Sequence, residues 1–391
     1  MEWKNAEDRE GGTIKVPDRW LHLYYYEALN ILFRFENALR LFVYVILRKN
    51  LGKEWDLAAI SEGTTIRSET KKRIAQAQEH GYLGYEVTSP MLYLNSGELT
   101  QVISSDAYWK YFAPYFKAAK AIVVTKLQEI GTVRNSLAHF RPIKPEDIDL
   151  IKQNSRHLLL EVENCLVQIT SITDLVPTNS EEHWYKEIKS IGNNNLSSTL
   201  YFSPDQEWVR LELTYNIPTL QKSTFSSKYV NFNVGNLQTI QLIKLFQNIR
   251  DTCIYVSEAP LYANFVKDLI ICQKQISVVF SKKSIESSLQ NIVTDLQNIS
   301  IIVENETELI QQDNLARGKL IESKSGFAVL REHDNIQPYW QVNIDNLRTP
   351  VSDIDEVEYW GQRNNYAIDF ISSTSQYPWM PSSVSSEEWP F

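Results

Sequence analysis

The segment Arg134-Asn135-Ser136-Leu137-Ala138-His139 holds the residue types that RNA cleavage without a metal ion needs. A 2′-hydroxyl that attacks its own phosphodiester requires a base for its proton, an acid for the leaving oxygen and a cation beside the charge that builds on phosphorus. Asn135 and His139 are four residues apart and share a helix face, whereas Arg134 lies roughly 140° from His139 on a straight helix. Arg134 and His139 therefore converge only through the long arginine side chain, a distorted last turn or a second subunit.

The surrounding residues predict one helix over residues 115–140. Its apolar positions recur at threes and fours and define one buried face; they are Phe116, Val123, Leu127, Ile130, Val133, Leu137 and Phe140. His139 falls opposite this face, in the last turn before Pro142, where the helix dipole favours an imidazolium. The competing interpretation is a plain exposed histidine, with Arg134 in a surface ion pair.

The arginine, the asparagine directly after it and His139 together are similar to the signature of the HEPN superfamily (higher eukaryotes and prokaryotes nucleotide-binding). Upstream, Glu36-Asn37-Ala38-Leu39-Arg40 resembles the Glu-x-x-Leu-Arg pattern in the first helices of HEPN families of the abortive-infection type. Further segments follow in an order that such domains also show, namely Leu92-Tyr93-Leu94, Gly97-Glu98-Leu99, Tyr108-Trp109, Phe112 and residues 129–133. The resemblance covers roughly residues 17–170.

Carried over by position, the resemblance implies that Arg134 and His139 are catalytic, that Asn135 orients them and that Glu36 and Arg40 support them. It implies a bundle of four or five helices that dimerises and brings two motifs into one cleft, so that Arg134 can face the partner's His139. Members with the intact motif are often RNases that act as toxins or host-defence effectors, and others are non-catalytic. From the residues alone, Glu36 and Arg40 are four apart and could simply pair with each other.

Composition bounds the class of protein. With 391 residues and 43% hydrophobic content, the chain is long enough for two or three domains. The apolar run at residues 41–47 is far shorter than a membrane span, and the N-terminus lacks the basic start and apolar core of a secretory signal. Cys165, Cys253 and Cys272 have no metal-ligand spacing. We therefore expect a cytoplasmic protein with three buried thiols, no membrane contact and no cofactor.

Charge is distributed unevenly along the chain. Residues 1–175 carry 22 Lys and Arg against 22 Asp and Glu, which leaves 17 against 26 for the rest. Residues 110–141 hold six basic residues against Glu129 alone, an excess that suits phosphate binding. Lys120, Lys126 and Arg141 are the candidate RNA-binding residues in this run, although a solvated helix face has the same composition. The acidic second half could repel RNA, or it could occupy the basic surface and restrain the site.

The pattern predicts an α+β multidomain protein. Residues 1–175 are predicted to form an all-α helical bundle whose last helix runs from residue 144 to about 170, 176–370 an α/β sensor or regulatory domain, and 371–391 a flexible tail. The helix over residues 28–47 is apolar nearly all round, which places it at the centre of a bundle or in a subunit interface. The second half is expected to alternate strands with helices, including helices at 237–250 and 261–271, a strand at 299–303 and a closing hairpin at 326–344. The tail aromatics Trp379, Trp389 and Phe391 either dock on the domain or form a partner-binding peptide.

Two functional hypotheses follow. The first is a metal-independent endoribonuclease of HEPN type that acts on RNA as a homodimer, with an anti-phage defence or toxin role. Its C-terminal domain would sense a protein or small-molecule trigger. The second is a non-catalytic HEPN module that binds RNA, a nucleotide or a protein through the same cleft. The phosphate-binding P-loop and dinucleotide-binding glycine motifs, the zinc-protease HExxH motif and the GxSxG esterase motif are absent from the sequence, so those chemistries lack support.

Overall fold

Helices dominate the first half of the chain. The computed structural model describes residues 7–9, 13–15, 24–80, 90–141, 143–226, 228–259, 262–266, 269–313, 318–333, 336–344 and 361–362. The helices of the first half are α1 (Tyr24–Leu51), α2 (Ile66–His80), α3 (Ser96–Ser104), α4 (Trp109–Phe112), α5 (Lys120–Ala138) and α6 (Pro145–Thr170). Two short antiparallel strand pairs accompany them, β1 (Glu7–Arg9) with β2 (Thr13–Lys15) and β3 (Ala59–Ser61) with β4 (Thr64–Thr65).

Local signals set the boundaries of these helices. α6 begins with Pro145 in its first turn, and the Asp147 carboxylate accepts a hydrogen bond from the Lys144 backbone N–H at 2.7 Å. α3 begins at Asn95, whose side chain accepts from the Glu98 N–H while Glu98 accepts from the Asn95 N–H. The predicted last helix, from residue 144 to about 170, is confirmed.

The central helix of the bundle is α1. Its residues 41–47 are all at most 1% exposed, and the Phe42 ring packs against the rings of Phe112, Tyr115 and Phe116 at 5.3–6.0 Å between centroids. The chain therefore buries this apolar helix in its own core. The run at 41–47 therefore gives no argument for a subunit interface, and the expected dimer rests on the site instead.

The helix that carries the motif is shorter than predicted. α5 begins at Lys120 and ends at Ala138. Its start is later than predicted because a 3-10 helix at Ala113–Tyr115 and a non-helical stretch precede it. Val123, Leu127, Ile130, Val133 and Leu137 are buried, as the spacing predicts. The assignment of Phe140 to the same buried face is wrong, because the helix has ended there and the side chain is 87% exposed.

The second half of the chain is built mainly of strands. Its strands are β5 (Asp174–Leu175), β6 (Leu196–Phe202), β7 (Trp208–Ile217), β8 (Thr219–Ser226), β9 (Tyr229–Leu237), β10 (Tyr255–Glu258), β11 (Tyr262–Val266), β12 (Leu269–Ser281), β13 (Ile321–His333), β14 (Ile336–Ile344) and β15 (Gly361–Gln362). Its helices are α7 (His183–Ile188), α8 (Thr239–Leu245), α9 (Gln247–Thr252), α10 (Lys282–Ser287) and α11 (Leu289–Asp313). One sheet has the order β15-β10-β12-β7-β6-β5 with β11 on β12, and the other has the order β14-β13-β9-β8.

The pairing of these strands corrects the predicted α/β alternation. Every described pair in the two sheets is antiparallel except β10 with β15. The predicted helix at 261–271 is wrong, since β11 and β12 form an antiparallel pair there. The predicted strand at 299–303 is also wrong, since it lies inside α11, and the helix expected at 237–250 is divided into α8 and α9 at Phe246. The hairpin of β13 and β14 is confirmed.

Two hydrophobic cores lie side by side, and the sheet contributes to both. The first core contains the bundle residues together with Trp208, Ile254, Tyr255 and Val279 from the second half. The second is enclosed by the two sheets and by α7–α11. The described part of the chain thus has a bundle whose core is completed by residues from β7, β10 and β12 and from the residue before β10.

Polar contacts fix the seam between the bundle and the sheet. The Tyr44 hydroxyl donates to the Ile254 carbonyl, and the Tyr255 hydroxyl donates to the Ile169 carbonyl at 3.1 Å. Arg48, only 4% exposed, donates from Nε to the Cys253 carbonyl at 3.0 Å and from Nη2 to the Arg250 carbonyl at 2.5 Å. Arg48 thus supplies charged donors to backbone carbonyls at the end of α9, of which that of Arg250 also accepts from the Cys253 Sγ at 3.6 Å.

The three cysteines are buried and free, as the sequence predicts. Burial raises the pKa of Cys165 and Cys272 to about 12 and that of Cys253 to about 11, so the thiols stay protonated. None of the described helices is long and apolar enough to cross a membrane. Among the same residues, no group of three or more His, Cys, Asp and Glu side chains is placed to hold a metal ion.

Candidate functional site

Glu36 of α1 and Arg134 of α5 meet in the bundle. The Arg134 Nε lies 3.6 Å from the Glu36 Oε2, with Arg134 36% exposed and Glu36 12% exposed. Arg134 also lies at hydrogen-bond distance from the neighbouring amide, with Nη1 3.5 Å from the Asn135 Oδ1. Two residues that the sequence analysis singled out in separate segments therefore share one location. The interpretation of Arg134 as a member of an ion pair is also correct.

Glu36 is shared between two arginines. Its other carboxylate oxygen accepts from the Arg40 Nη2, so the predicted pairing of Glu36 with Arg40 is confirmed. Arg40 is held in place from two further sides. Its Nε and Nη2 donate to the Leu94 carbonyl at 3.0 and 2.8 Å, and its Nη1 donates to the Asn37 Oδ1 at 2.9 Å. The Leu94 carbonyl holds the Arg40 guanidinium, and Arg40 in turn holds the Glu36 carboxylate. Glu36 then orients the Arg134 side chain through its second oxygen.

His139 directly follows the last residue of α5. It is the C-cap of the helix, with its backbone N–H donating to the Asn135 carbonyl at 3.2 Å. Asn135 and His139 are both exposed. Within the described residues, the imidazole has neither a hydrogen-bond nor an ion-pair partner. The structure therefore brings Arg134, Asn135 and Glu36 together and leaves the His139 ring open to a ligand.

The chain turn after His139 has an unusual residue at its centre. The Phe140 N–H donates to the Leu137 carbonyl at 2.9 Å and the Arg141 N–H donates to the Ser136 carbonyl at 2.8 Å, which is a Schellman C-cap. The central position of this motif requires a left-handed backbone and is usually glycine or asparagine. Phe140 adopts it with φ of 54°, at a cost of about 1–2 kcal/mol for an L-residue.

The candidate RNA-binding residues are spread along α5 and partly neutralised. Lys120 pairs with Asp106 and thereby holds the pKa of that carboxyl below its usual value, and the Lys126 Nζ lies 2.6 Å from the His157 Nδ1. Lys120 and Arg134 are about 21 Å apart along the helix axis at 1.5 Å per residue. Arg141 is exposed two residues beyond His139. Lys117 pairs with Glu161, so the positive excess counted from the sequence overstates the free charge near the motif.

Two other polar features of the chain lack the arrangement that acid–base chemistry needs. A groove of about 490 Å³ beside β5 and β6 has a lining without His, Cys, Asp or Glu. Lys274, 3% exposed, lies 3.1 Å from the Glu258 carboxylate and donates to the Leu237 carbonyl at 2.7 Å. Burial lowers the pKa of Lys274, but its contacts tie β12 to β9 and β10 inside the second core. The end of α5 remains the best candidate site.

Three contributors to this site were not predicted from the sequence. Asn37 and the Leu94 carbonyl hold Arg40, and Phe140 stands exposed beside His139. A signal existed for Phe140, because a cap followed by Pro142 and lacking glycine indicates that some residue must take the left-handed position. The carbonyl of Leu94 has no sequence signal, since any residue provides one.

Comparison of the chain with protein-family models, with curated proteins and with solved structures gave no match. The proposed function therefore rests on the fold and on the residues at the end of α5.

Proposed function

We propose that this chain is a metal-independent endoribonuclease of HEPN type, with its active site at the end of α5. One observation carries the proposal. Glu36 and Arg134 come from distant parts of the sequence, each marked by the resemblance, and they meet at 3.6 Å on the helix that an exposed histidine follows. A surface ion pair by itself needs neither an exposed imidazole five residues away nor a second arginine that is fixed to the backbone behind it.

The residues divide the chemistry among them. His139 removes the proton from the 2′-hydroxyl and returns it to the 5′-oxygen as the bond between phosphorus and that oxygen breaks. Arg134 lies beside the negative charge that builds on the phosphate oxygens. Asn135 supports Arg134 at 3.5 Å, and Glu36, anchored by Arg40, limits the rotation of the Arg134 side chain. The product is a 2′,3′-cyclic phosphate.

The proposed reaction is tested by the ends and the metal requirement of the products. The full-length protein should cleave single-stranded RNA in the presence of excess chelator, and the new 3′ ends should carry a cyclic phosphate. DNA of the same sequence should remain intact, because it lacks the attacking 2′-hydroxyl. Cleavage that stops with EDTA and returns with magnesium would place the chemistry on carboxylates and overturn the proposal.

We further propose that the complete site forms between two subunits. Arg134 turns inward to Glu36, while the His139 ring lies more than one helical turn later and has no partner among the residues that the structure describes. The partner's Arg134 can supply the cation that His139 lacks.

A mixture of Arg134→Ala and His139→Ala proteins should regain activity that neither variant has alone. In a heterodimer, one of the two composite sites then pairs an intact arginine with an intact histidine. Cleavage by each variant and by their mixture after subunit exchange is the measurement, and mixing either variant with itself is the control. A protein that is monomeric by light scattering and still active would contradict the shared site.

A non-catalytic HEPN module is the second candidate, and the lack of contact between Arg134 and His139 in one chain favours it. The same open imidazole and amide can bind RNA, a nucleotide or a protein without reaction. The two candidates differ in one measurement. A binding module retains its ligand in His139→Ala without ever cleaving it, whereas the ribonuclease loses turnover.

The C-terminal domain has a proposed role as sensor of a trigger, and the seam limits how it can act. Arg48 is twelve residues from Glu36 on α1, about 18 Å at 1.5 Å per residue. The ion-pair partners of Lys117, Lys120 and Arg134 belong to the bundle itself. We therefore propose that this domain acts on the site by supporting the bundle and not by covering the basic run.

A further inference from the structure

The feature that the proposed chemistry leaves unused is Phe140. Its side chain is 87% exposed, so it adds almost nothing to either hydrophobic core. Its backbone is held at φ of 54°, where a bulky L-residue is strained. The Schellman cap would form at least as well with glycine or asparagine in this position. Neither burial nor backbone preference explains a phenylalanine here.

The neighbours of Phe140 in the turn offer a reason for its exposed ring. Phe140 follows His139 directly and precedes the exposed Arg141, so its Cα lies about 3.8 Å from that of each neighbour. Two hydrogen bonds, from the Phe140 and Arg141 N–H groups, fix the turn that carries the ring. Strained residues that are held firmly by their surroundings cluster where proteins bind ligands. The backbone thus holds an exposed aromatic side chain at a fixed point of the turn, between a histidine and an arginine in the sequence.

We propose that Phe140 stacks on an unpaired nucleobase next to the scissile phosphate, so that the substrate is RNA that is single-stranded at the cleavage point. This inference rests on the proposed ribonuclease function. Bases in a duplex already stack on each other and present no free face, whereas splayed bases stack on aromatic side chains. Arg141 then lies on the side of the adjoining phosphate, and His139 on the side of the 2′-hydroxyl.

The test separates binding from cleavage. Binding is measured in full-length protein that carries His139→Ala, with a short single-stranded RNA containing 2-aminopurine, whose fluorescence falls when the base stacks. Phe140→Gly and Phe140→Asn keep the left-handed cap and remove the ring, and Phe140→Tyr keeps the ring. We expect the first two to weaken binding about 10-fold and to abolish the fluorescence change, and Phe140→Tyr to preserve both.

Stability provides the second measurement. Because glycine is unstrained at this φ, Phe140→Gly should raise the thermal midpoint while it weakens RNA binding. A lower midpoint together with dissociation of a dimer would identify Phe140 as a subunit contact and overturn the inference. Unchanged binding in Phe140→Gly, or equal losses for single-stranded RNA and for its duplex, would also overturn it.

The outcomes for the two proposals are distinct. Stacking that depends on Phe140 in a protein that never cleaves RNA supports the inference and rejects the ribonuclease. Full cleavage by Phe140→Gly at subsaturating RNA rejects the inference and leaves the ribonuclease in place.

Discussion

Replacing His139 or Arg134 with alanine should lower the rate of RNA cleavage by about 100-fold or more, the scale of losing a proton-transfer group or a charge stabiliser. Folding stability should change little. The His139 ring has no partner in the described chain, and Arg134 is 36% exposed and makes one ion pair at 3.6 Å. Such positions typically contribute less than about 1 kcal/mol. Initial rates on single-stranded RNA and urea unfolding of the same samples provide the comparison.

Matched controls exist elsewhere on the surface. His183 is an exposed histidine in α7, 3.9 Å from Glu187, and Arg67 is an exposed arginine that pairs with Asp56. Their alanine variants remove the same side chains far from the motif in sequence and should cleave at the rate of the unchanged protein. A folded His139→Ala protein with full activity would show that the imidazole takes no part in the reaction.

Replacing Arg48 with methionine should reduce the free energy of unfolding by about 3 kcal/mol or more, because buried hydrogen bonds from a charged group are worth about 1.5–3 kcal/mol each. Methionine fills similar volume, removes the guanidinium donor from the Cys253 carbonyl and leaves the Arg250 carbonyl with the weak thiol donor of Cys253. Lys53→Met is the control. Lys53 is 62% exposed and lies 3.6 Å from Asp251 near the same seam, so its loss should cost at most about 1 kcal/mol.

Urea unfolding followed by far-UV circular dichroism and by tryptophan fluorescence measures both changes. Trp55 reports on the bundle and Trp184 on the second core. If Arg48→Met unfolded at the same urea concentration as Lys53→Met, the buried arginine would carry no net stabilisation, and the remaining apolar and polar contacts across the seam would hold the two parts together.

Most helices of the first half could be predicted because their ends carry local signals. Pro145 and Asp147 begin α6 within a few residues, and the apolar positions of α5 repeat at helical spacing. The predictions of secondary structure are wrong where one local pattern of residues fits both a helix and a strand. The β-branched run at residues 299–303 is typical of a strand, but Ile292, Leu296, Ile299 and Val303 also align along one helix face, and all four are buried in α11.

Other features depend on contacts between distant segments, which the sequence pattern does not show. The run at 261–271 has apolar residues at helical spacings, yet in β12 the residues from 269 alternate between exposed and buried as a paired strand does. Arg40 and Arg48 look alike in sequence as charges that bracket an apolar run. One anchors Glu36 at the candidate site and the other holds the sheet, because of carbonyls at Leu94, Arg250 and Cys253 that no side-chain pattern reveals.

The candidate site was predictable in composition but not in arrangement. Spacing placed His139 away from the buried face, and the structure leaves it exposed. Only the resemblance linked Glu36 to Arg134. The two residues are far apart in the sequence and meet because α1 packs against α5. The left-handed turn at Phe140 depends on the residue at which α5 ends. Helix ends differ by one or two residues between assignments, so a sequence pattern does not fix that residue.

The core shared by the bundle and the sheet has a consequence for the order of events on the ribosome. Domains generally fold as units during synthesis, N-terminal domain first. Here Val279 belongs to the core of helices that end at Thr170, so the bundle cannot reach its final packing until more than a hundred further residues have been translated. If the end of α5 is an RNase site, the nascent chain carries it in an unfinished bundle while the messenger and the ribosomal RNA lie nearest. Synthesis itself then delays the enzyme until the segment that contains Val279 has been made.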